Sequence, residues 1–328
     1  MISKSQEEIM SNWKESAVPV VSVLCNAYNH EKYVGQCLDR ALMQETNFPF
    51  EIVVHDDAST DSTADIIKKY HKKYPGIIRP ILQQENIYSR LDAFFDAIYL
   101  SCKGEYIATC ECDDYWTKKN KLQMQYDFLS RHKDYVACGH LTKTMNCQSH
   151  KKVTFINSKP GDYTNEAMSK WQFFAHYSSL FMKNIFRDLG EEDKRNYLAV
   201  RCPWDRTLPL LLRTYGKLYV IDQYASVYRY MSTQDSFSRK HKKIQVSKTY
   251  MDCIECEKYA VKNGLVTDFK EGKEDILILA FLYFLTLKDV KSFGKILKQR
   301  KQIGKDLWIC LIKTFPYIFK ELLRRRRL

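Results

Sequence analysis

Residues 18–25 read VPVVSVLC, a run of β-branched and apolar side chains that ends at the polar Asn26. The run has the length of a strand but lacks the alternation of apolar and polar residues of a half-exposed one. It therefore predicts a strand that is buried on both faces. Such strands are typical of parallel sheets that helices cover on both sides.

The same unit repeats along the first 115 residues. Strand-like apolar runs recur at 50–55, 77–82 and 106–110, and segments with helical spacing of apolar residues separate them. The order β-α-β-α-β-α-β predicts an α/β fold, in which helices flank a mostly parallel central sheet.

Composition indicates a globular protein with an anionic partner. The chain has 328 residues, enough for about two domains, and 45% of them are hydrophobic, which excludes a largely disordered protein. The formal net charge is +13, and residues 288–328 alone hold 13 Lys and Arg against 3 Asp and Glu. Because the main body is nearly neutral, we expect the tail to meet the anionic partner.

The sequence favours a cytoplasmic protein without a membrane span. The eleven cysteines lack the paired spacing of a zinc ribbon, so we interpret them as free thiols in a reducing compartment. The N-terminus has no apolar segment of a signal peptide. The longest apolar run, Ile276–Leu287, is shorter than the ~18 residues that a span requires.

In the basic tail, apolar side chains recur at helical spacing between the charged ones. They are Trp308, Leu311, Ile312, Phe315, Phe319 and Leu322. A basic amphipathic helix of this kind favours binding to an anionic membrane surface. The alternative is that the apolar stripe packs on the preceding domain.

Polar side chains follow the long strands at the points where the strands end. They are Asn26, Tyr28, Asp56, Asp57, Glu111, Asp113 and Asp114. Ligands of open α/β sheets bind beyond the carboxyl ends of the strands, so we expect these residues to form one site. Neither G-x-G-x-x-G nor G-K-[ST] follows the first strand, so a dinucleotide site or a P-loop has no support. Carboxylates grouped in this way suit Mn²⁺ or Mg²⁺; alternatively, each Asp pair caps the helix that follows it.

Three motifs carry a family resemblance: VSVLCNAYNH at 21–30, IVVHDDASTDST at 52–63 and GEYIATCECDDYW at 104–116. In combination they resemble the nucleotide-sugar domain of family 2 glycosyltransferases, which have the GT-A fold, and especially enzymes of bacterial surface-polysaccharide assembly. The resemblance covers about residues 18–230. It implies a lead-in at 1–17, a GT-A domain at 18–240 with a nucleotide-binding half (18–115) and an acceptor half (116–240), and a helical, basic, membrane-associating region at 241–328.

The resemblance also implies roles in donor binding. Asn26 and Tyr28 would line the nucleotide pocket, with Tyr28 near the base. Asp57, in preference to Asp56, would hydrogen-bond to the base or the ribose. Glu111 stands in place of the first Asp of the family's D-x-D motif, which leaves open whether it faces the ribose or the metal.

The second acidic position of the same motif implies a metal ligand. Asp113 would bind the Mn²⁺ or Mg²⁺ that bridges the donor diphosphate. Asp114 would support the metal or the donor sugar.

The segment PWDRTLPLLL at 203–212 predicts a helix with Asp205 in its first turn, where the helix dipole favours a carboxylate. The family places its catalytic base on such a helix, so the resemblance implies that Asp205 is the base. The alternative is a helix cap. Trp204 would form an apolar wall for a sugar ring.

Two further segments resemble the acceptor half of the family. HYSSLFMK at 176–183 is similar to the strand after the metal motif, where Ser178 or Ser179 would contact sugars or serve as ordinary strand hydroxyls. YASVYRYMSTQDSFS at 224–238 is similar to the family's Y-R-x-H segment, which implies that Arg229 reaches the diphosphate, although Met231 replaces the histidine.

These features together predict an inverting, metal-dependent glycosyltransferase of the hexosyltransferase type. It would move a sugar from a nucleoside-diphosphate sugar, by family pattern a UDP-sugar, to a hydroxyl of a glycan or lipid-linked acceptor at the inner face of a bacterial membrane. Two alternatives stay open, a non-catalytic scaffold of the same fold and a basic nucleic-acid-binding protein. The acidic strand ends disfavour the second, because they repel phosphate backbones.

Overall fold

The computed structural model describes residues 4–14, 18–147, 152–153, 158–200, 204–230 and 246–277. The chain divides into two units. The first comprises residues 1–164, 173–199 and 203–231, and the second comprises residues 165–172, 200–202 and 232–328. All the candidate site residues belong to the first unit.

One sheet organises the first unit. Its strands are β1 (Val21–Ala27), β2 (Phe50–Asp56), β3 (Ile78–Leu82), β4 (Tyr106–Glu111), β5 (Tyr115–Trp116), β6 (Tyr135–Asn146), β7 (Lys152–Val153), β8 (Gly161–Asp162), β9 (Phe181–Lys183) and β10 (Lys217–Tyr230). The strand order is β3-β2-β1-β4-β9-β6-β10-β5, with β7 paired to β6 and β8 paired to β10.

The described residues also form helices in both units. In chain order they are α1 (Gln6–Met10), α2 (Val34–Leu42), α3 (Thr63–Lys73), α4 (Leu91–Phe95) with a π-helical continuation (Asp96–Leu100), α5 (Lys121–Arg131), α6 (Asn165–Ser169), a 3₁₀ turn (Tyr177–Ser179), α7 (Glu191–Leu198), α8 (Trp204–Arg213) and α9 (Val246–Lys262). Of these, α6 and α9 belong to the second unit.

The strands β3, β2, β1 and β4 are parallel because a helix returns the chain to the same end of the sheet after each strand. Every residue of β2 is buried, and so are six of the seven residues of β1. This burial on both faces is the reason why the apolar runs show no polar alternation. The sheet therefore confirms the predicted α/β class.

The second half of the sheet brings distant segments to the acidic strand ends. Strand β9 runs antiparallel between β4 and β6, and β6 pairs in parallel with β10. The short strand β5, which directly follows the acidic motif, pairs antiparallel with Ser226 and Val227 of β10. The C-terminal part of β10 therefore lies beside the turn that carries Asp113 and Asp114.

The second unit has a small core of its own around the end of α9. The ring of Trp171 lies 6.0 Å from that of Phe269. Glu257 accepts hydrogen bonds from the backbone N–H of Phe269 at 2.7 Å and from Lys273 Nζ at 2.8 Å. These contacts join α9 to the helical residues 270–277.

The structure does not test several of the predictions made from the sequence. The domain boundaries inferred at 17/18, 115/116 and 240/241 stay predictions. The amphipathic tail beyond residue 288, and all of Ile276–Leu287 except its first two residues, lie outside the described residues. Within the described part of the chain, no helix has the length and apolar character to span a membrane.

Lys121, the first residue of α5, leads to a prediction about how the stability of the protein depends on pH. Lys121 is fully buried, its Nζ lies 3.9 Å from the centroid of the Trp116 ring, and no described residue accepts a hydrogen bond from it. Burial lowers the pKa of this amine to about 7 from its ordinary value of 10.5. Protonation of Lys121 therefore lowers the free energy of unfolding. The loss is complete below about pH 7, shrinks as the pH rises, and is absent above the ordinary pKa of the amine.

We expect Lys121→Met to raise the urea midpoint of unfolding at about pH 6.5, and we expect this gain to shrink steadily toward about pH 10. Urea titrations of both proteins across that range measure the effect. Lys68→Met, which removes an exposed lysine of α3, serves as the control for the loss of a charge. A gain of equal size at every pH would contradict the lowered pKa.

The turn before β4 gives a second stability prediction. A Cβ added to Gly104 would lie 2.4 Å from Ser22 N and 2.7 Å from Tyr106 O, both backbone atoms that cannot yield. We expect Gly104→Ala to lower the free energy of unfolding by about 1–3 kcal/mol, as overpacking does. Gly35→Ala in α2 is the matched control, because its Cβ would meet nothing closer than Tyr70 Oη at 3.5 Å. Equal midpoints for the two variants would refute the steric argument.

Candidate functional site

The carboxyl ends of β1, β2 and β4 meet as the sequence predicts. Asn26 lies opposite Glu111 in β4 and opposite His55 in β2, and Ala27 lies opposite Asp56. The backbone N–H of Asp57 donates to Ala27 O at 3.0 Å, which extends the pairing by one residue. One continuous edge therefore carries the polar residues of all three strands.

The two aspartates after β2 hold the loops that border this edge. Asp56 and Asp57 are 2% and 3% exposed. The Asp56 carboxylate accepts from Ser59 N at 3.2 Å and from Ser59 Oγ at 2.5 Å. The Asp57 carboxylate accepts from the backbone N–H groups of Ile87 at 2.7 Å and Tyr88 at 3.1 Å. Both aspartates thus order loops, and their predicted contact with the base or ribose stays a prediction.

The loop after β1 presents an exposed tyrosine. Tyr28 is 47% exposed, and the next residue, Asn29, has a φ of 57°. The Asn29 side chain accepts from Thr60 N at 2.8 Å, and Thr63 Oγ1 accepts from His30 N at 2.8 Å. These bonds fix the left-handed turn, which leaves Tyr28 facing solvent at the nucleotide end of the predicted site.

Glu111 lies between the amide of Asn26 and the acidic turn. Asn26 Nδ2 donates to Glu111 Oε1 at 3.4 Å, and the Glu111 backbone N–H donates to Ser178 Oγ at 3.1 Å. Burial, followed by the negative charge of Asp113, raises the pKa of Glu111 to about 8. The side chain is thus largely protonated at neutral pH and able to donate a hydrogen bond.

The two aspartates of the acidic turn have different environments. Asp114 is 1% exposed and accepts from Ser178 Oγ at 2.6 Å and from the backbone N–H of Arg229 at 2.9 Å. Burial, followed by the charge of Asp113, raises the pKa of Asp114 well above its usual range. The Asp113 side chain is 22% exposed, and its Oδ2 lies 4.0 Å from His30 Nε2. Asp113 is therefore the carboxylate of this turn that is accessible to solvent.

The side chain of Arg229 makes its contacts with other residues of the protein. It is 6% exposed, and its guanidinium lies 5.0 Å from the ring of Tyr33 and 4.5 Å from the ring of Tyr115. Nη1 donates to the carbonyl oxygen of Asp113 at 2.6 Å, and Nη2 donates to Gln36 Oε1. These contacts make Arg229 a residue that positions the acidic turn, while its predicted contact with the diphosphate stays a prediction.

The hydroxyls of Ser178 and Ser179 also have partners within the protein. Ser178 Oγ joins Glu111 to Asp114, and Ser179 Oγ donates to His176 O at 2.7 Å. Both serines are fully buried. Of the two roles that the sequence left open, the contacts favour ordinary structural hydroxyls.

The helix α8 carries the remaining candidate carboxylate in its first turn. Asp205 Oδ1 is buried and has no hydrogen-bond partner among the described residues. Burial raises the pKa of this carboxyl above its ordinary value, which the neighbouring Arg206 partly offsets. Backbone hydrogen bonds at Asp205 and Arg206 also lower the pKa, so the carboxylate is partly held by the helix start, and Oδ1 is the oxygen that keeps free acceptor capacity among the described residues.

Trp204 belongs to an aromatic cluster, which we define as Phe94, Phe95, Tyr99, Phe186, Tyr197 and Trp204. The Trp204 ring lies 5.7 Å from those of Phe94 and Tyr99 and 6.1 Å from that of Phe95. These contacts anchor the start of α8 to α4, and the role of Trp204 as a wall for a sugar ring stays a prediction.

Sequence reasoning missed Tyr88 and His30. Tyr88 lies on the loop that Asp57 holds, and burial followed by the negative charges of Glu111 and Asp205 raises the pKa of its phenol. No local pattern marks Tyr88, whereas His30 is the last residue of the quoted motif after β1.

The residues present fit a divalent cation that is shared with a ligand. In the described part of the chain, no group of three or more His, Cys, Asp or Glu side chains converges on one point. Mg²⁺-type ions are held by one or two carboxylates together with substrate phosphates, and Asp113 offers such a carboxylate with His30 beside it. The site therefore suits an ion that arrives with a phosphate ligand.

Comparison with known proteins places this geometry among glycosyltransferases. The curated relatives include the putative teichuronic acid biosynthesis glycosyltransferase TuaG of Bacillus subtilis, which is 32% identical over 120 residues, or 37% of this chain and 44% of TuaG. The chain spans only 34% of the length of the first relatives found.

Solved structures share the fold at low identity. Staphylococcus aureus TarS (residues 1–349) in complex with UDP-GlcNAc matches with a TM-score of 0.54 and 18% identity, over 89% of this chain and 79% of TarS. The mannosyltransferase PcManGT of Pyrobaculum calidifontis, in complex with GDP-Man and Mn²⁺, matches with a TM-score of 0.52 and 13% identity, over 92% of this chain and 88% of that one. These matches confirm the GT-A fold.

The model of the family "Glycosyl transferase family 2" matches residues 22–190. This range is just over half of the chain and includes β1, β2, β4 and the whole acidic turn. The chain therefore belongs to glycosyl transferase family 2.

Proposed function

We propose that this protein is an inverting glycosyltransferase that moves a sugar from a nucleoside-diphosphate sugar to a hydroxyl group of a glycan or lipid-linked acceptor. The observation that carries the proposal is the contrast between its carboxylates. Asp56, Asp57 and Asp114 are occupied by the protein's own donors, whereas Asp113 is partly exposed and Asp205 keeps a buried oxygen that has no partner among the described residues. The two available carboxylates suit the two ends of a transfer reaction.

Asp205 would act as the general base. It would take the proton of the acceptor hydroxyl while that oxygen forms a bond to the anomeric carbon. The bond from the anomeric carbon to the diphosphate oxygen breaks in the same step, and the nucleoside diphosphate leaves with the electron pair. A single displacement of this kind inverts the configuration of the sugar. The raised pKa of Asp205 makes it a stronger base than an exposed aspartate.

Donor binding would use the edge formed by β1, β2 and β4. Tyr28 would stack near the base, and Asn26 with Glu111 would offer hydrogen bonds at the ribose. The loops ordered by Asp56 and Asp57 would enclose the nucleotide. The UDP-GlcNAc complex of TarS, whose fold this chain shares, supports a UDP-sugar as the donor.

A divalent cation, Mn²⁺ or Mg²⁺, would be held by Asp113 and would supply neutralisation of the charge on the departing diphosphate. Within the protein, Arg229 keeps the carbonyl of Asp113 in place, and Asp114 anchors the turn to β10. The Mn²⁺ complex of PcManGT supports this choice of metal.

The acceptor proposed is a bacterial surface polysaccharide or its lipid-linked precursor, at the inner face of the cell membrane. The name of TuaG, which refers to teichuronic acid biosynthesis, supports this class of product. The basic tail, which lies outside the described residues, would hold the protein at the anionic membrane surface. No observation favours nucleic-acid binding over this proposal.

The general base is tested with Asp205→Asn, which removes the basic oxygen and keeps the shape. We expect the rate of UDP release from UDP-sugars to fall about 10²–10⁴-fold, because a general base accelerates a reaction by that factor. The assay uses a panel of glycan acceptors. We expect UDP to bind the variant as it binds the wild type, and we expect the residual rate to lose its dependence on deprotonation of Asp205 at low pH.

Asp193→Asn is the matched control, since Asp193 lies in the first turn of another helix, α7, and is exposed. Near-normal turnover by the Asp205 variant would overturn its assignment as the base. A scaffold would show no turnover in the wild type with any donor.

The metal position is tested with Asp113→Ala in thermal unfolding experiments. We expect UDP with Mn²⁺ to raise the melting temperature of the wild type, and we expect the shift to vanish with EDTA or with the variant. Asp65→Ala, which removes an exposed carboxylate on α3, is the control and keeps the shift. An undiminished, metal-dependent shift in the Asp113 variant would show that the metal is held elsewhere.

A further inference from the structure

The aromatic side chain best placed to meet a transferred sugar is one that the sequence did not indicate. Tyr88 is 47% exposed, as is Tyr28 at the other side of the edge. Its backbone N–H donates to Asp57 Oδ2 at 3.1 Å, and the side chain of the nearby Asn86 donates to Asp57 O at 3.2 Å. An exposed tyrosine on a loop held at two points is a prearranged contact for a ligand.

Ring packing fixes the direction of Tyr88. Its ring meets Phe94 edge to face at 5.3 Å, and Phe94 in turn lies 5.7 Å from Trp204 at the start of α8. Tyr88 is therefore connected through Phe94 to the helix turn that carries Asp205. Burial, followed by the negative charges of Glu111 and Asp205, raises the pKa of this phenol.

The position of Trp204 strengthens the argument. Trp204 lies within the aromatic cluster, with four rings between 5.7 and 6.3 Å from its own. Tyr88 covers this cluster at Phe94 and keeps nearly half of its surface in solvent. A tyrosine offers an apolar ring face for the C–H groups of a sugar and a hydroxyl for its polar edge.

We propose that Tyr88 contacts the transferred sugar, with the ring against one face of the hexose and the hydroxyl hydrogen-bonded to it, and that this contact helps to select the sugar. The proposal rests on the proposed function, because it places the sugar between the nucleotide edge at Glu111 and the base Asp205. Tyr88 takes no proton in this proposal and is a specificity-determining residue.

The test compares nucleotide with nucleotide sugar. Titration calorimetry with Mn²⁺ would give the dissociation constants of UDP, UDP-glucose, UDP-galactose and UDP-N-acetylglucosamine for the wild type, Tyr88→Phe and Tyr88→Ala. Tyr215→Ala is the matched control, since Tyr215 is 45% exposed and follows the far end of α8. Thermal unfolding without ligand checks that each variant folds.

We expect all variants to bind UDP as the wild type does. We expect Tyr88→Phe to weaken the preferred UDP-sugar about 2- to 13-fold, the value of one hydrogen bond, and Tyr88→Ala to weaken it further and to flatten the ranking of the three sugars. Tyr215→Ala should keep the ranking of the wild type.

Two results would overturn the proposal for Tyr88 alone. One is an unchanged ranking and unchanged sugar affinities in both Tyr88 variants while UDP binds normally. The other is an equal loss of affinity for UDP and for every UDP-sugar, which would place Tyr88 against the nucleotide. If the wild type binds neither UDP nor any of the UDP-sugars, the uridine donor of the proposed function fails, and the Tyr88 proposal fails with it.

Discussion

The rest of the site depends on the hydrogen bonds that the buried carboxyl group of Asp114 accepts. It accepts from Ser178 Oγ and from the backbone N–H of Arg229, and so it joins the acidic turn to the 3₁₀ turn before β9 and to the end of β10. A buried carboxylate without such donors is costly, so the three segments are held together at this point. The outward direction of Asp113 follows from this anchor.

The site divides its carboxylates between structure and chemistry. Asp56 and Asp57 order the loops beside the strand ends, and Asp114 orders the turn. Asp113 keeps exposed surface, and Asp205 keeps a buried oxygen that lacks a partner among the described residues. Three of these five aspartates thus hold loops and turns in place, and the other two are those to which the proposed function assigns the chemistry.

Aromatic packing positions the start of α8, as the buried carboxylates position the loops at the strand ends. The aromatic cluster joins α4 to the start of α8, and Tyr88 extends it to the loop after β3. Because that loop is also tied to Asp57, the donor edge and the helix that carries Asp205 are connected through one set of rings. A rigid connection of this kind suits a reaction that needs two substrates at a fixed separation.

The sequence by itself determined the order of strands and helices and the parallel direction of β1 to β4. It also determined that Asn26, Asp56 and Glu111 meet at one edge of the sheet. These features follow from local apolar patterns and from the geometry of crossover connections. Only the tertiary structure decided that Arg229 holds the acidic turn, that Trp204 is packed among rings and that Tyr88 packs on Phe94. The physical reason is that hydrogen-bonding capacity and desolvation depend on partners far away in the chain; Arg229 and Asp114 are 115 residues apart. No local sequence pattern indicates which polar groups form hydrogen bonds within the folded protein.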